Sequence, residues 1–222
     1  TSRSQVISPD STMAEVAAGT PPGVIPPIAL ADGDEPEEHG TSHFVTLDQW
    51  GNAVSYTSTV EGSFGSGIMV GGYYLNNELT DFSFSPVKDG KPVANRVQGG
   101  KRPRSSMAPT VVYDADGQLV MAVGAAGGAT IPVQVARTLI GVLDWGLPAR
   151  DAIALPLLFS PGDAIFVEEG SSLEEMIPAL SALGHSQIIS RRLPLKTNAI
   201  ERTGQGWIGA ADPRSEGAAI TQ

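Results

Sequence analysis

Proline, glycine and acidic residues crowd positions 9–40 so densely that a packed element has no room to form there. The stretch runs Gly19-Thr20-Pro21-Pro22-Gly23, then Pro26-Pro27, then Asp34-Glu35-Pro36-Glu37-Glu38. It offers too little apolar surface to offset the entropy lost on ordering, so an extended, solvated linker is expected. Charge gathers here as well: residues 1–40 hold seven acids against one base, Arg3, which is −6 of the formal net charge of −10. The other −4 is spread over residues 41–222, where the folded domain is expected. No basic stripe exists to neutralise phosphates, and Lys101-Arg102-Pro103-Arg104 is short, so nucleic acid is not an expected partner. Cysteine is absent, which removes disulfides and thiolate chemistry. No run approaches the ~20 apolar residues that span a bilayer. The chain opens on Thr1 rather than Met, as a processed product or a fragment of a longer chain would.

From Thr41 the pattern becomes that of a folded domain. His43–Asp48 and Ala53–Val60 are β-type runs joined by Gln49-Trp50-Gly51-Asn52, a hairpin signal. Thr110–Tyr113 and Gln118–Val123 flank Asp114-Ala115-Asp116-Gly117, a second hairpin, which leads into Gly124-Ala125-Ala126-Gly127-Gly128-Ala129-Thr130. A helix with Pro132 in its first turn follows, with Val135, Leu139 and Leu143 on one face, and a shorter one after Pro148. Residues 173–183 space Leu173, Met176, Leu180 and Leu183 as a helix, with Ser172 and Glu175 as a capping box, Gly184 as its stop and a kink at Pro178. Arg191–Leu195 and Trp207–Ala210 supply further strands. Hairpins first and helices later indicate an α+β, layered sheet-and-helix architecture.

The chemistry-bearing candidates begin at Gly40-Thr41. Nothing else in the chain is placed as a nucleophile with its base: three histidines are scattered, with no G-x-S-x-G and no metal-ligand spacing. A threonine hydroxyl needs an adjacent base, and cutting the chain before Thr41 supplies one, because the freed α-amine has a pKa of ~8. A Gly-Thr pair is equally a turn followed by a strand. The second strand carries Thr57, Ser58 and Thr59, any of which the hairpin would bring beside Thr41, although such runs also follow from β propensity alone. Gly127-Gly128, between a strand and a helix, offers bare N–H groups suited to an oxyanion, or simply a tight turn. Glu78 and Asp81, within Tyr73–Phe82, would suit an ammonium group or a solvated loop. Ser105 and Ser106 lie between turn-forming residues, where hydroxyls and amides hold a carboxylate or shape a turn.

Taken together and in this order, these segments resemble the small subunit of the gamma-glutamyltranspeptidases, which are N-terminal nucleophile hydrolases. The resemblance covers residues 41–222. It rests on Thr41-Ser42-His43-Phe44, Asp48 with Gly51-Asn52-Ala53-Val54, Phe64-Gly65, Leu75-Asn76-Asn77-Glu78, and Asp81-Phe82-Ser83. It continues through Lys101-Arg102-Pro103, Ser105-Ser106-Met107, Pro109, Gly127-Gly128 and Asp212-Pro213-Arg214-Ser215. Residues 1–40 then resemble the end of the large subunit, with autocleavage between Gly40 and Thr41.

The resemblance implies an αββα four-layer sandwich, of which this chain is the small-subunit half. It implies that Thr41 is the nucleophile, oriented by Thr59, with Gly127 and Gly128 holding the oxyanion. Glu78 and Asp81 would take the substrate ammonium, and Ser105 and Ser106 its carboxylate. The donor would be glutathione or another γ-glutamyl amide, and the acceptor water, an amino acid or a peptide. No cofactor or metal is implied. The partner would be the large subunit of the same precursor, which brings the arginine that also binds the carboxylate, and the location periplasmic or secreted. Two departures stand out. Glu61 replaces the asparagine common two residues after the Thr59 position, which bears on glutamyl specificity, and the stretch from Asp81 to Ser105 is short for a lid. The nearest alternatives are an acylase of the glutaryl-cephalosporin type and an uncleaved, inactive precursor fragment.

Overall fold

The computed structural model describes residues 4–8, 10, 11, 13, 19, 20, 22, 23, 30, 31, 40–162 and 164–220. Most of the stretch expected as a linker lies outside the described residues. Ala31 is tied to the domain: its N–H donates to Pro92 O at 3.0 Å and its carbonyl accepts from Ala94 N at 2.9 Å.

The first hairpin pairs β1 (Thr41–Leu47) with β2 (Ala53–Thr59) in antiparallel register from Thr41↔Thr59 to Leu47↔Ala53. The turn is closed by Asp48, whose Oδ1 accepts from Trp50 N and Asn52 N at 2.9 and 2.8 Å. Two short ribbons follow, β3 (Met69–Val70) with β4 (Tyr73–Tyr74) and β5 (Val87–Lys88) with β6 (Lys91–Pro92). The second hairpin joins β7 (Thr110–Tyr113) to β8 (Leu119–Ala126), which runs through a 3-10 turn at Gly128–Thr130 into α1 (Ile131–Leu143). Next come α2 (Ala149–Ala154), β9 (Leu158–Phe159), β10 (Ile165–Glu168), α3 (Ile177–Ala182), β11 (Ile188–Arg191), β12 (Lys196–Thr203) and β13 (Gly206–Ala211). The main sheet has the order β13-β12-β8-β7, all antiparallel, and a smaller mixed sheet has the order β11-β10-β9.

Strand β8 organises the layers. Alternation sends its side chains to opposite faces, and both faces are buried from Met121 to Ala126. Met121, Val123 and Ala125 pack with Ile131 and Val135 of α1, Ala149 and Ile153 of α2, and Ala199 and Ala210 of the neighbouring strands. Gly124 faces the other way, against His43 of β1, and Ala122 and Ala126 share its face. Helices, four-stranded sheet and first hairpin therefore form three successive layers, in the α, β, β order that an αββα sandwich requires. The outward face of the hairpin has no cover among the described residues: Phe44 and Tyr56, whose rings lie 5.3 Å apart, are 52% and 50% exposed.

Several expectations are corrected. The stretch 191–195 is not a strand: β11 ends at Arg191, β12 starts at Lys196, and Pro194, with no N–H to donate, sits in the break. The buried face of α1 is Ile131, Gln134, Val135, Thr138 and Gly141, and Leu143 is half exposed. Two polar residues take core positions there, which an apolar count does not register. The stretch 173–183 divides at Pro178 into a 3-10 turn at Ser172–Met176 and α3, and the cap is Ser171, whose Oγ accepts from Leu173 N at 3.3 Å. No helix among the described residues is long and apolar enough to cross a membrane.

The C-terminal turn is fastened by Arg214. Its Nε meets Asp212 Oδ1 at 2.7 Å, its Nη1 meets Glu168 Oε2 at 2.9 Å, and its Nη2 donates to Ile153 O at 2.6 Å. Asp212 is fully buried. Removing the guanidinium would leave a buried carboxylate uncompensated, a change worth ~3–5 kcal/mol. Arg214→Met should therefore lower the unfolding free energy by roughly 3 kcal/mol, read as a shift of the urea midpoint at constant slope.

Candidate active site

The hairpin register brings the nucleophile candidate to its partner. Thr41 and Thr59 face each other across the first rung, and Thr41 Oγ1 donates to Thr59 Oγ1 at 3.1 Å. Thr41 is buried. Thr59 Oγ1 also accepts from Glu61 N at 2.8 Å, so its lone pairs are fixed from two sides. Thr57 and Ser58 are excluded from the role: Thr57 pairs with His43, and Ser58, opposite Ser42, lies on the alternate face.

The peptide before Thr41 is gripped closely. Gly40 N donates to Glu61 O at 2.6 Å, and a Cβ on residue 40 would lie 2.6 Å from the carbonyl oxygens of both Glu61 and Gly62. Only glycine fits there. Glu61 itself has φ 68, a left-handed conformation costly for a residue with a Cβ. Its side chain repays that turn by folding inward onto Asn77 Nδ2 and Thr80 Oγ1, both of which donate to Oε2. Asn77 further accepts from Gly62 N through Oδ1 at 2.9 Å.

This places Glu61 beside the 3-10 turn at Glu78–Asp81. Asp81 is buried, and its Oδ1 has no hydrogen-bond partner among the described residues. Burial, and then the charge of Glu61, push its carboxyl above the usual range, partly offset by a hydrogen bond with Glu78 and by Arg104. A site that gathers carboxylates and leaves one oxygen unsatisfied is complementary to a cation. The serines stand at the end of the same scaffold. Asn95 Nδ2 donates to Asp81 O at 2.5 Å while Asn95 Oδ1 accepts from Arg104 N at 3.0 Å. One side chain thus links the acidic turn to the residue before Ser105. Ser105 is exposed, with Oγ accepting from Met107 N at 3.3 Å, and Ser106 is half-buried.

The glycine pair follows directly on the last residue of β8. Gly127 has φ 131 and Gly128 φ 59, and a Cβ on Gly127 would lie 2.0 Å from Pro194 O. The contacts of the hairpin along β8 show where these glycines lie relative to Thr41. Ser55, the rung partner of Val45, donates through Oγ to Val123 O at 3.0 Å. Two rungs on, His43 lies over Gly124, and its carbonyl accepts from Asn198 Nδ2 at 3.1 Å. Continuing in that sense, Thr41 lies toward the carboxyl end of β8, where Gly127-Gly128 follow. Among the described residues no group of three or more His, Asp or Glu is arranged to hold a metal ion.

Sequence reasoning assigns no role to Asn77, Asn95 or Gln134, the residues that hold these parts together. Asparagine and glutamine carry no periodicity, and only the tertiary contacts reveal them. His43 draws no role from the sequence beyond its place in the Thr41-Ser42-His43-Phe44 run. It is buried on Gly124, where a Cβ would lie 2.2 Å from its Cε1, with Nδ1 2.8 Å from Thr57 Oγ1 and Nε2 unpartnered. Burial lowers its pKa to about 4, against a smaller raising effect of a backbone hydrogen bond at Tyr56. Its folded pKa lies below the ordinary ~6.5, so between those values the unfolded chain binds the proton and the folded one does not. His43 therefore withdraws stability as pH falls from ~6.5 toward 4 and costs nothing above that window. In His43→Gln, thermal melts should show a shallower loss across this window than the parent; equal slopes would contradict the assignment.

Comparison with known proteins fits this geometry. The gamma-glutamyltranspeptidase family model matches residues 1–222. A glutathione hydrolase proenzyme from Bacillus subtilis is 37% identical over 190 residues, covering 82% of this chain and 31% of that protein. The chain thus spans about a third of the length of this relative. A threonine-to-alanine mutant of Helicobacter pylori gamma-glutamyltranspeptidase superimposes with a TM-score of 0.69 at 31% identity, covering 78% of this chain and 99% of that one. A cephalosporin acylase from Bacillus halodurans superimposes at 0.67 with 27% identity, covering 79% of this chain and 33% of that one.

Proposed function

Because the chain belongs to the gamma-glutamyltranspeptidase family, we propose that it carries the catalytic half of a γ-glutamyl-transferring hydrolase matured by its own Thr41. The observation that carries this reading is the rung that sets Thr41 Oγ1 3.1 Å from Thr59 Oγ1 with the Gly40 amide clamped beside it. In the precursor, Thr41 Oγ attacks the Gly40 carbonyl and the C–N bond breaks, so that the acyl group passes to oxygen and the amine of Thr41 takes the proton. Water opens the ester, leaving a Gly40 carboxylate and a free N-terminal threonine.

In turnover that amine acts as base for the Thr41 hydroxyl. The hydroxyl attacks the γ-glutamyl carbonyl of glutathione or a related amide, the negative charge on oxygen is met by the N–H groups of Gly127 and Gly128, and the amine product leaves with the proton. Water or an acceptor amine then resolves the γ-glutamyl ester. Preorganised donors of this kind contribute ~3–4 kcal/mol to the transition state. Glu78 and Asp81 would hold the substrate α-ammonium, with Glu61 beside them tuning the charge of Asp81, and Ser105 and Ser106 its carboxylate, together with a basic group from outside this chain. The exposed Phe44–Tyr56 face supports a large subunit, from the same precursor, covering the hairpin. We place the subunit boundary at Gly40/Thr41.

A second reading, a side-chain amide acylase, draws on the likeness to the Bacillus halodurans enzyme. The buried, unsatisfied oxygen of Asp81 favours a substrate with an ammonium group and hence the first reading.

Two experiments test these assignments. Intact-mass analysis of the full-length protein should show a break before Thr41, with release of p-nitroaniline from γ-glutamyl-p-nitroanilide, and Thr41→Ala should lose both; retention of either would displace Thr41 as nucleophile. Glu61→Asn removes the charge that raises Asp81 and should increase, several-fold, the preference in kcat/KM for γ-glutamyl over glutaryl amides. An unchanged ratio would remove Glu61 from specificity.

A further inference from the structure

Gln134 is fully buried one turn into α1, a place normally given to an aliphatic side chain, and every polar atom of its amide is used. Nε2 donates to Ala126 O at 2.9 Å and to Thr130 Oγ1 at 2.8 Å, with Pro194 O further away at 3.4 Å. Oε1 accepts from Lys196 N at 2.9 Å and from Thr197 Oγ1 at 3.0 Å. The partners fix which end is which: Lys196 N is a donor and Ala126 O an acceptor, so the reversed amide would set like against like. Thr130, having accepted from Gln134, passes its own hydroxyl proton to Gly127 O at 2.8 Å.

The two carbonyls held in this way are those of the peptide units that contain the Gly127 and Gly128 N–H groups. In a trans peptide the C=O and the N–H of one unit point in opposite directions. Pulling Ala126 O inward aims the Gly127 N–H outward, and pulling Gly127 O inward does the same for the Gly128 N–H. With φ 131 and 59 these glycines have little intrinsic preference for that orientation, so it must be imposed from behind. We propose that Gln134, directly at Ala126 and through Thr130 at Gly127, is the positioning residue that aims both oxyanion donors. The inference rests on the assignment of Gly127 and Gly128 made above, and neither Gln134 nor Thr130 touches the substrate.

The mechanism separates the donor end of the amide from its acceptor end. Gln134→Glu keeps size and the acceptor contacts to β12 but loses the NH2 group. Thr130→Val keeps shape and breaks only the second link, while Thr130→Ser preserves it. In the full-length protein assayed with γ-glutamyl-p-nitroanilide, Gln134→Glu and Thr130→Val should each lower kcat ~10–100-fold, with KM within about twofold because ground-state binding is untouched. Thr130→Ser should recover most of kcat. The Gln134→Glu/Thr130→Val double variant should be little worse than the worse single one, since the two contacts act in series. Wild-type kcat in Thr130→Val, or a loss that appears in KM, or one that Thr130→Ser fails to recover, would overturn the proposal even if Gln134→Glu does not fold. If those variants turn over normally beside an active parent, only the positioning role fails. If the parent itself releases no p-nitroaniline, the underlying acyl-transfer reading fails with it.

Discussion

The close approach of the first hairpin to β8 is the constraint on which the remaining geometry depends. A His43 ring lying directly over residue 124 leaves no space for any Cβ there, so the spacing of two layers is set by a single missing side chain. Because β8 then leads straight into Gly127-Gly128 and β1 begins at Thr41, that spacing also bears on the gap between Thr41 and the glycine pair. The opposite face of β8, with Met121, Val123 and Ala125 against α1 and α2, supplies the apolar burial that holds the strand still, at ~25 cal/mol per Å² removed from water. Precision on one face is thus supported by ordinary packing on the other.

The acidic turn follows a different logic. Glu61 adopts a left-handed backbone that aims its carbonyl at Gly40, its N–H at Thr59 and its carboxylate at Asn77. One residue therefore touches the proposed cleavage junction, the hydroxyl proposed to orient Thr41 and the acids proposed to bind a cation. A substitution there disturbs all three, which is why Asn, with similar hydrogen-bonding reach and greater tolerance of positive φ, is a cleaner probe than Ala.

Much of this was legible in the sequence where residue type and spacing act locally. The two hairpins and α1 follow from alternation and turn residues, whereas the choice of Thr59 over Thr57 and Ser58 opposite Thr41 comes from the family resemblance and is set by the register. What stayed hidden depends on contacts far apart in the chain. Gln134 meets Lys196 and Thr197 across more than sixty positions, and Asn95 joins Asp81 to Arg104; neither belongs to a pattern that a one-dimensional reading weighs. The misplaced strand at 191–195 has the same origin, since apolar residues there pack on Val133 and Phe166 while Pro194 cannot join a ladder. The Asp81 and Gly127-Gly128 segments stand out in the sequence by residue type, but their residues alone leave a solvated loop or a tight turn open beside the chemical reading.

The face of β1 and β2 that no described residue covers bears on timing and stoichiometry. One face of the ribbon is held by β8, while the half-exposed Phe44 and Tyr56 leave the other to the large subunit proposed above. If both pieces are translated as one polypeptide and parted only when Thr41 has reached its rung, the cover meets the hairpin at an effective concentration on the order of millimolar. Each molecule then carries one copy of each piece by birth, and no free half circulates in search of its mate.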